Sequence, residues 1–212
     1  MDARTLILEH THIGHVPMVP ELRLYLADRL VPLWEASEWR AASAQDPPFW
    51  AFAWPGSQVL ARWVLDHPEL VRSKRVLDFG AGGGLAALAA ARAGAADVVA
   101  SDVDAVAAVV QQMNAALNEL EVRSSTTDLI GTAPDLDVVL AGDVCYDRAQ
   151  SPRITTWLRT LAAQGKTVFL ADPSRAYAPS GEVDLVATFE VPTLRELESA
   201  NSRTTRLLRV RA

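Results

Sequence analysis

With 212 residues, half of them hydrophobic, the chain is long enough to bury one sizeable core, and no repeat or low-complexity tract points to disorder. A net charge of -6 argues against sequence-independent nucleic-acid binding, which draws its affinity from cations placed on phosphates. The single cysteine, Cys145, excludes an intrachain disulfide; no apolar run approaches the roughly 20 residues that cross a bilayer, and Asp2 and Glu9 flank too short a run for a signal peptide. A cytoplasmic monomer with no membrane or nucleic-acid partner is expected.

Residues 1 to 45 read as a helical extension or lid, and 46 to 212 as the main domain. Val19-Pro20-Glu21 carries the signals of a helix start, with proline in the first turn and an acid beside it. Leu22, Leu24, Leu26 and Leu30 supply a buried face without clean helical periodicity. His10-x-His12-x-x-His15 fits no strong zinc spacing and no cysteine joins it, so no metal is expected.

The stretch from Asp46 to Ser57 gathers Phe49, Trp50, Phe52 and Trp54 around prolines and a glycine. Most of these rings are expected to pack as core or lid, but the Trp54-Pro55-Gly56 turn displays at least one from a loop. An aromatic face suits a sulfonium or ammonium cation. Ser57 is the expected cap of a helix through Val59, Leu60, Trp63 and Val64, which ends at His67-Pro68.

Arg75 to Ala90 is the stretch around which the chain is organised. An apolar run ends in Asp78, turns through Gly80, Gly82, Gly83 and Gly84, and becomes an alanine-rich helix. Glycines there allow positive φ and close approach of a ligand to the backbone. A dinucleotide fingerprint also has such a turn, but a carboxylate two residues before the first glycine would repel a pyrophosphate and suit an amino-acid amine. The pattern D-x-G-x-G-x-G resembles motif I of the class I, seven-stranded S-adenosylmethionine methyltransferases. That resemblance implies S-adenosyl-L-methionine as cofactor, with Asp78 at its methionine end.

Further strands follow, each tipped by an acid. Asp97 to Asp102 places Asp102 where a carboxylate accepts hydrogen bonds from ribose hydroxyls, although Asp102 or Asp104 also fits as the cap of the next helix. Val122 to Asp128 brings Asp128 to the same edge; the methyltransferase resemblance implies an acid there that receives an adenine amino group, and the alternative is a turn residue. Asp137 to Tyr146 ends its strand at Asp143, and Lys166 to Asp172 ends at Asp172. In open α/β sheets the ligand lies outside the carboxyl ends of the strands, so these acids converge on one crevice. Arg175 and Tyr177 follow in a loop that either contacts substrate or is anchored by an Arg175–Asp172 pair. Val186 to Val191 and Thr204 to Val210 close the sheet as antiparallel strands. The expected fold is α/β and Rossmann-like: a seven-stranded, mostly parallel sheet with an antiparallel C-terminal pair.

Several blocks are more specific: Val19 to Asp28, Val31 to Trp34, Pro48 to Gly56, Asp143-Val-Cys-Tyr146, Asp172-Pro-Ser-Arg175 and Val191 to Glu198. Over nearly the whole chain they resemble the electron transfer flavoprotein β-subunit lysine methyltransferases and bacterial relatives labelled nicotinamide N-methyltransferase-like. The resemblance implies a protein-lysine N-methyltransferase whose partner is the flavoprotein β subunit. By position it implies Asp78, Gly80, Gly82, Asp102 and Asp128 on the cofactor and Trp54 at the methyl-transfer end. Asp143 and Tyr146 become the catalytic pair at the lysine entrance. Cys145 reads as buried strand end and not a nucleophile. The rivals are a small-molecule N-methyltransferase on the same fold, a non-catalytic cofactor-binding module, and an NAD-binding module, against which Asp78 counts.

Overall fold

The computed structural model describes residues 2–41 and 47–212. The expected boundary at 45/46, and Asp46 itself, lie outside these residues.

The N-terminal extension is not wholly helical. Helix α1 (Ala3–His10) is capped by Asp2, whose carboxylate accepts the Thr5 N–H. An antiparallel hairpin follows, β1 (His12–Val16) with β2 (Val19–Leu26), and then α2 (Leu30–Ala41). The helix expected from Val19 is therefore strand β2. Leu22 and Leu24 alternate inward with exposed Arg23 between them, a period of two that overrides the proline and acid signals. Leu6, Ile7 and Leu33 of the extension share one buried cluster with Trp50, Phe52, Val110 and Met113. Burying a side chain of this size stabilises by about 1.5–3 kcal/mol, enough to fix the extension against the main body.

A short 3-10 turn (Phe49–Ala51) leads into α3 (Pro55–Asp66). The sheet is then laid down as β3 (Arg75–Phe79), β4 (Asp97–Ser101), β5 (Arg123–Ser125), β6 (Val138–Gly142), β7 (Thr167–Asp172), β8 (Val183–Pro192) and β9 (Ser202–Val210). The order across it is β5-β4-β3-β6-β7-β9-β8, parallel up to β7, with β9 antiparallel to both neighbours. Helices α4 (Leu85–Arg92), α5 (Ala105–Leu117), α6 (Gln150–Ala163) and the one-turn α7 (Arg195–Glu198) connect the strands.

Strand β6 is buried along Val138–Ala141 because helices cover both faces of a parallel sheet. Successive residues separate accordingly. Val138 and Leu140 join the cluster containing α3 and α4, and Val139 and Ala141 join that containing Trp157, Leu158 and Leu161 of α6. Helix α4 is buried from Leu85 through Ala90; its alanines let it lie close to α3 and the sheet. The carboxyl ends of β3, β4, β6 and β7 thus point one way, at the N-termini of α3 and α4.

Candidate active site

The glycine turn after β3 adopts the backbone its residues predict. Gly80, Gly82 and Gly84 have φ of 66°, 50° and 82°, which a side chain would strain. Gly83 is required for space: a Cβ there would lie 2.9 Å from the Trp50 carbonyl oxygen. The aromatic segment therefore rests directly on the turn.

Two acids brace the turn and the helix it opens. Asp78, buried, accepts the Ala87 N–H at 2.9 Å and so caps α4 from the neighbouring strand, leaving its second oxygen for a ligand. Burial, with a smaller push from Asp102, raises its pKa to about 7. Asp102 accepts the Gly82 N–H at 2.8 Å and the Asp104 N–H at 3.0 Å. Asp104 is the cap of α5, accepting the Val106 N–H, so Asp102 is the acid that faces the turn. Each Asp102 oxygen retains acceptor capacity for ribose hydroxyls.

Helix α5 contributes what sequence reasoning missed. Gln111 and Asn114, both buried, donate to the Gly82 and Gly83 carbonyls at 3.0 and 2.9 Å. Asn114 also accepts the Tyr25 N–H at 2.8 Å, and Asn118 accepts the Arg23 N–H at 2.9 Å. The signal was present as a polar stripe at i, i+3 and i+7 on an otherwise apolar helix. It satisfies the outer edge of β2 and holds the glycine turn from behind.

Asp128 stands apart. It is exposed, three residues beyond β5, and accepts the Ile130 N–H at 3.0 Å in an Asx turn. Its carboxylate is bonded to this local backbone, whereas that of Asp102 is bonded to the glycine turn.

The opposite wall is built from distant segments. Asp143 follows β6 with φ of 56°, a strained conformation for a residue with a side chain, which costs roughly 1–3 kcal/mol. That backbone aims its carboxylate at α3. One oxygen accepts the Gly56 N–H in a very short bond; the other accepts Arg175 Nη2 at 2.9 Å and Nε at 3.3 Å. Gly56 must be glycine, because a Cβ would lie 2.5 Å from the Ala171 carbonyl oxygen and 2.7 Å from Asp143. Ser57 does not cap α3 as expected: the helix begins at Pro55, the Ser57 hydroxyl donates to the Trp54 carbonyl, and Asp143 supplies the anion.

Burial pushes the Asp143 pKa up to about 6, with Arg175 and the Gly56 N–H opposing the rise and Asp172 adding to it. It remains ionised at neutral pH. Cys145, also buried, is raised to about 12, so it stays a thiol.

Arg175 reaches Asp143 rather than the Asp172 side chain; only its backbone N–H donates to Asp172, at 2.7 Å. Its guanidinium also pairs with Glu198 through both Nη atoms, one at 3.1 Å, and lies 5.9 Å from the centre of the Trp54 ring. Phe49 stands edge-on to Trp54 and to Tyr146, with centroids 5.5 and 5.6 Å apart, and the Trp54 indole donates to the Phe49 carbonyl. Tyr146 is 58% exposed, so this mouth opens to solvent; Tyr177, in the loop after β7, is 41% exposed.

The strand order, the glycine turn and the acid-bearing carboxyl edge define a methyltransferase of the seven-stranded class. Solved structures share the fold: magnesium protoporphyrin IX methyltransferase from Synechocystis PCC 6803 with bound SAM (TM-score 0.54, 21% identity, 74% of this chain and 79% of that one). Ribosomal protein L11 methylase from Lactobacillus delbrueckii subsp. bulgaricus is similar (TM-score 0.54, 17% identity, 76% and 81%). Residues 63–143 match the Ribosomal protein L11 methyltransferase (PrmA) family. Over 187 residues the chain is 38% identical to the electron transfer flavoprotein beta subunit lysine methyltransferase of Xenopus laevis, covering 85% of this chain and 74% of the relative. The corresponding protein of Danio rerio is 37% identical (82% and 69%), and that of Homo sapiens 34% (74% and 61%). The chain belongs to the electron transfer flavoprotein β-subunit lysine methyltransferase family.

Proposed function

We propose that this protein transfers a methyl group from S-adenosyl-L-methionine to the ε-amine of a lysine in the electron transfer flavoprotein β subunit. The reading rests on one arrangement: a buried, ionised carboxylate, Asp143, beside the open aromatic mouth of Phe49, Trp54 and Tyr146. An anion among aromatic faces suits an alkylammonium. The exposed Tyr146 at this mouth favours a macromolecule over a small substrate sealed beneath a lid.

The residues present fit the cofactor. Positive-φ glycines open the backbone, Asp78 offers an unspent carboxylate oxygen to an amino-acid amine, and Asp102 offers acceptors to ribose. When bound, the cofactor supplies an electrophilic methyl on a sulfonium. The chain's own work is alignment and desolvation. A lysine amine is protonated in water, with a pKa of about 10.4, and must lose that proton to attack. Asp143 receives the ammonium and orients it, and burial near a positive sulfur lowers the amine pKa so that the proton departs to solvent.

The test is transfer of labelled methyl to purified electron transfer flavoprotein and, separately, to nicotinamide, with the modified residue mapped by mass spectrometry. Label on a β-subunit lysine is expected. Label on nicotinamide alone would overturn the protein-substrate reading.

A further inference from the structure

The lysine site described above is already claimed by a cation. Asp143 has two oxygens: the Gly56 N–H takes one, and Arg175 takes the other through two nitrogens. The guanidinium also stands against Trp54, the ring assigned to the methyl-transfer end. With two Arg175 nitrogens donating to it, that oxygen has both acceptor sites taken, and an incoming ammonium competes with the guanidinium for it.

Arg175 has a second anion. Glu198, only 3% exposed, holds it through both carboxylate oxygens and is itself held by Arg203 Nε at 3.0 Å. The charges alternate along Asp143, Arg175, Glu198 and Arg203. Losing the link to Asp143 would leave Arg175 paired with Glu198, so no buried charge is stranded when a substrate cation arrives. The Arg175 side chain is 23% exposed, and its backbone is pinned to Asp172, so the head can withdraw while the loop stays.

We propose that Arg175 is a displaceable placeholder for the substrate ammonium, and that Glu198 is the positioning residue that receives it when lysine takes its place on Asp143. This rests on the lysine methyltransferase reading for its substrate, but the ion-pair chain exists without it. Arg175 contributes to specificity by exclusion: only a group that replaces a cation on Asp143 enters.

The test is steady-state kinetics on the flavoprotein at pH 8 for the wild type, Arg175→Gln and Glu198→Gln. Removing a competitor that occupies the site raises apparent affinity. Arg175→Gln is expected to lower KM roughly 3- to 10-fold. Glu198→Gln, which keeps the guanidinium on Asp143, raises KM by a similar factor, and Glu198→Asp restores part of it. A KM raised by Arg175→Gln would make it a direct substrate ligand and overturn the proposal. An unchanged KM in a folded Glu198→Gln would do the same.

A second readout needs no substrate. The titration midpoint of the Asp143 carboxyl carbon, followed by 13C NMR, should move up in Arg175→Gln and down in Glu198→Gln. Facing this carboxyl are Arg175 and Glu198, Asp172 with Arg206 beside it across β7 and β9, the Cys145 thiol, and the α3 N-terminus. A midpoint indifferent to both substitutions would break the chain itself. Failure of methyl transfer by the wild type, with the midpoints moving, would break only the functional reading.

Discussion

Asp78 and Asp143 end neighbouring strands of one sheet, both are buried, and both cap a helix N-terminus, α4 and α3 respectively. Their surroundings differ. The wall around Asp78 is held by hydrogen bonds to backbone: Gln111 and Asn114 donate to the turn carbonyls, and Asp102 accepts the Gly82 N–H. The wall around Asp143 is held by charge pairs between segments far apart in the chain. Backbone bonds fix a shape and do not exchange, which suits a cofactor site used unchanged each turnover. Ion pairs can be traded for others of the same sign, which suits a site that must admit a protein's cation.

The largest effect is expected where the two walls meet. Gly56→Ala forces a Cβ into the Ala171 carbonyl and the Asp143 backbone. Overpacking against backbone costs about 3 kcal/mol, or about 10 °C in Tm for a chain this size, and methyl transfer should be lost. Calorimetry and the labelling assay check both.

Asp78→Asn should retain the Ala87 cap through its amide oxygen but lose the charge that meets the cofactor amine. Cofactor affinity measured by titration calorimetry is expected to fall by about tenfold or more. The same substitution tests the pH dependence. A carboxyl whose folded pKa is raised from 3.8 to about 7 contributes stability that is complete below pH 3.8 and lost as pH rises through 7. Asp143 acts in the same sense up to about pH 6. Stability should therefore decline between pH 4 and 7, and Asp78→Asn should flatten that slope in Tm measurements.

A smaller effect is expected behind the turn. Asn114→Ala removes partners from the Gly83 carbonyl and the Tyr25 N–H, and should cost about 2 kcal/mol in denaturant unfolding, with weaker cofactor binding as the turn loosens.

The wall proposed for the cofactor is legible in the sequence because it is local: an acid, a glycine turn, a helix, and a second acid one strand later. Asp104 and Asp128 show the limit of that reading. An acid at a strand end is equally a helix or turn cap, and only geometry separates Asp102, which reaches the turn, from Asp128, which folds back on Ile130. Pro20 and Glu21 mimic a helix start, whereas β2 is held extended by its pairing with β1 on one edge and by Asn114 and Asn118, far along the chain, on the other. In sequence, Glu198 belongs to a polar run, Arg195-Glu-Leu-Glu198, with nothing local to mark it as buried. Its burial depends on Arg175 and Arg203, and no sequence window contains all three with Asp143.

The separation of the two walls is tested most directly by Asp143→Asn, measuring S-adenosyl-L-methionine affinity and the rate of lysine methylation on the same preparation. The amide can still accept the Gly56 N–H, so cofactor affinity should stay within about threefold while transfer falls by about 100-fold or more. Loss of cofactor binding together with transfer, or full activity in the variant, would contradict the assignment of Asp143 to the substrate lysine.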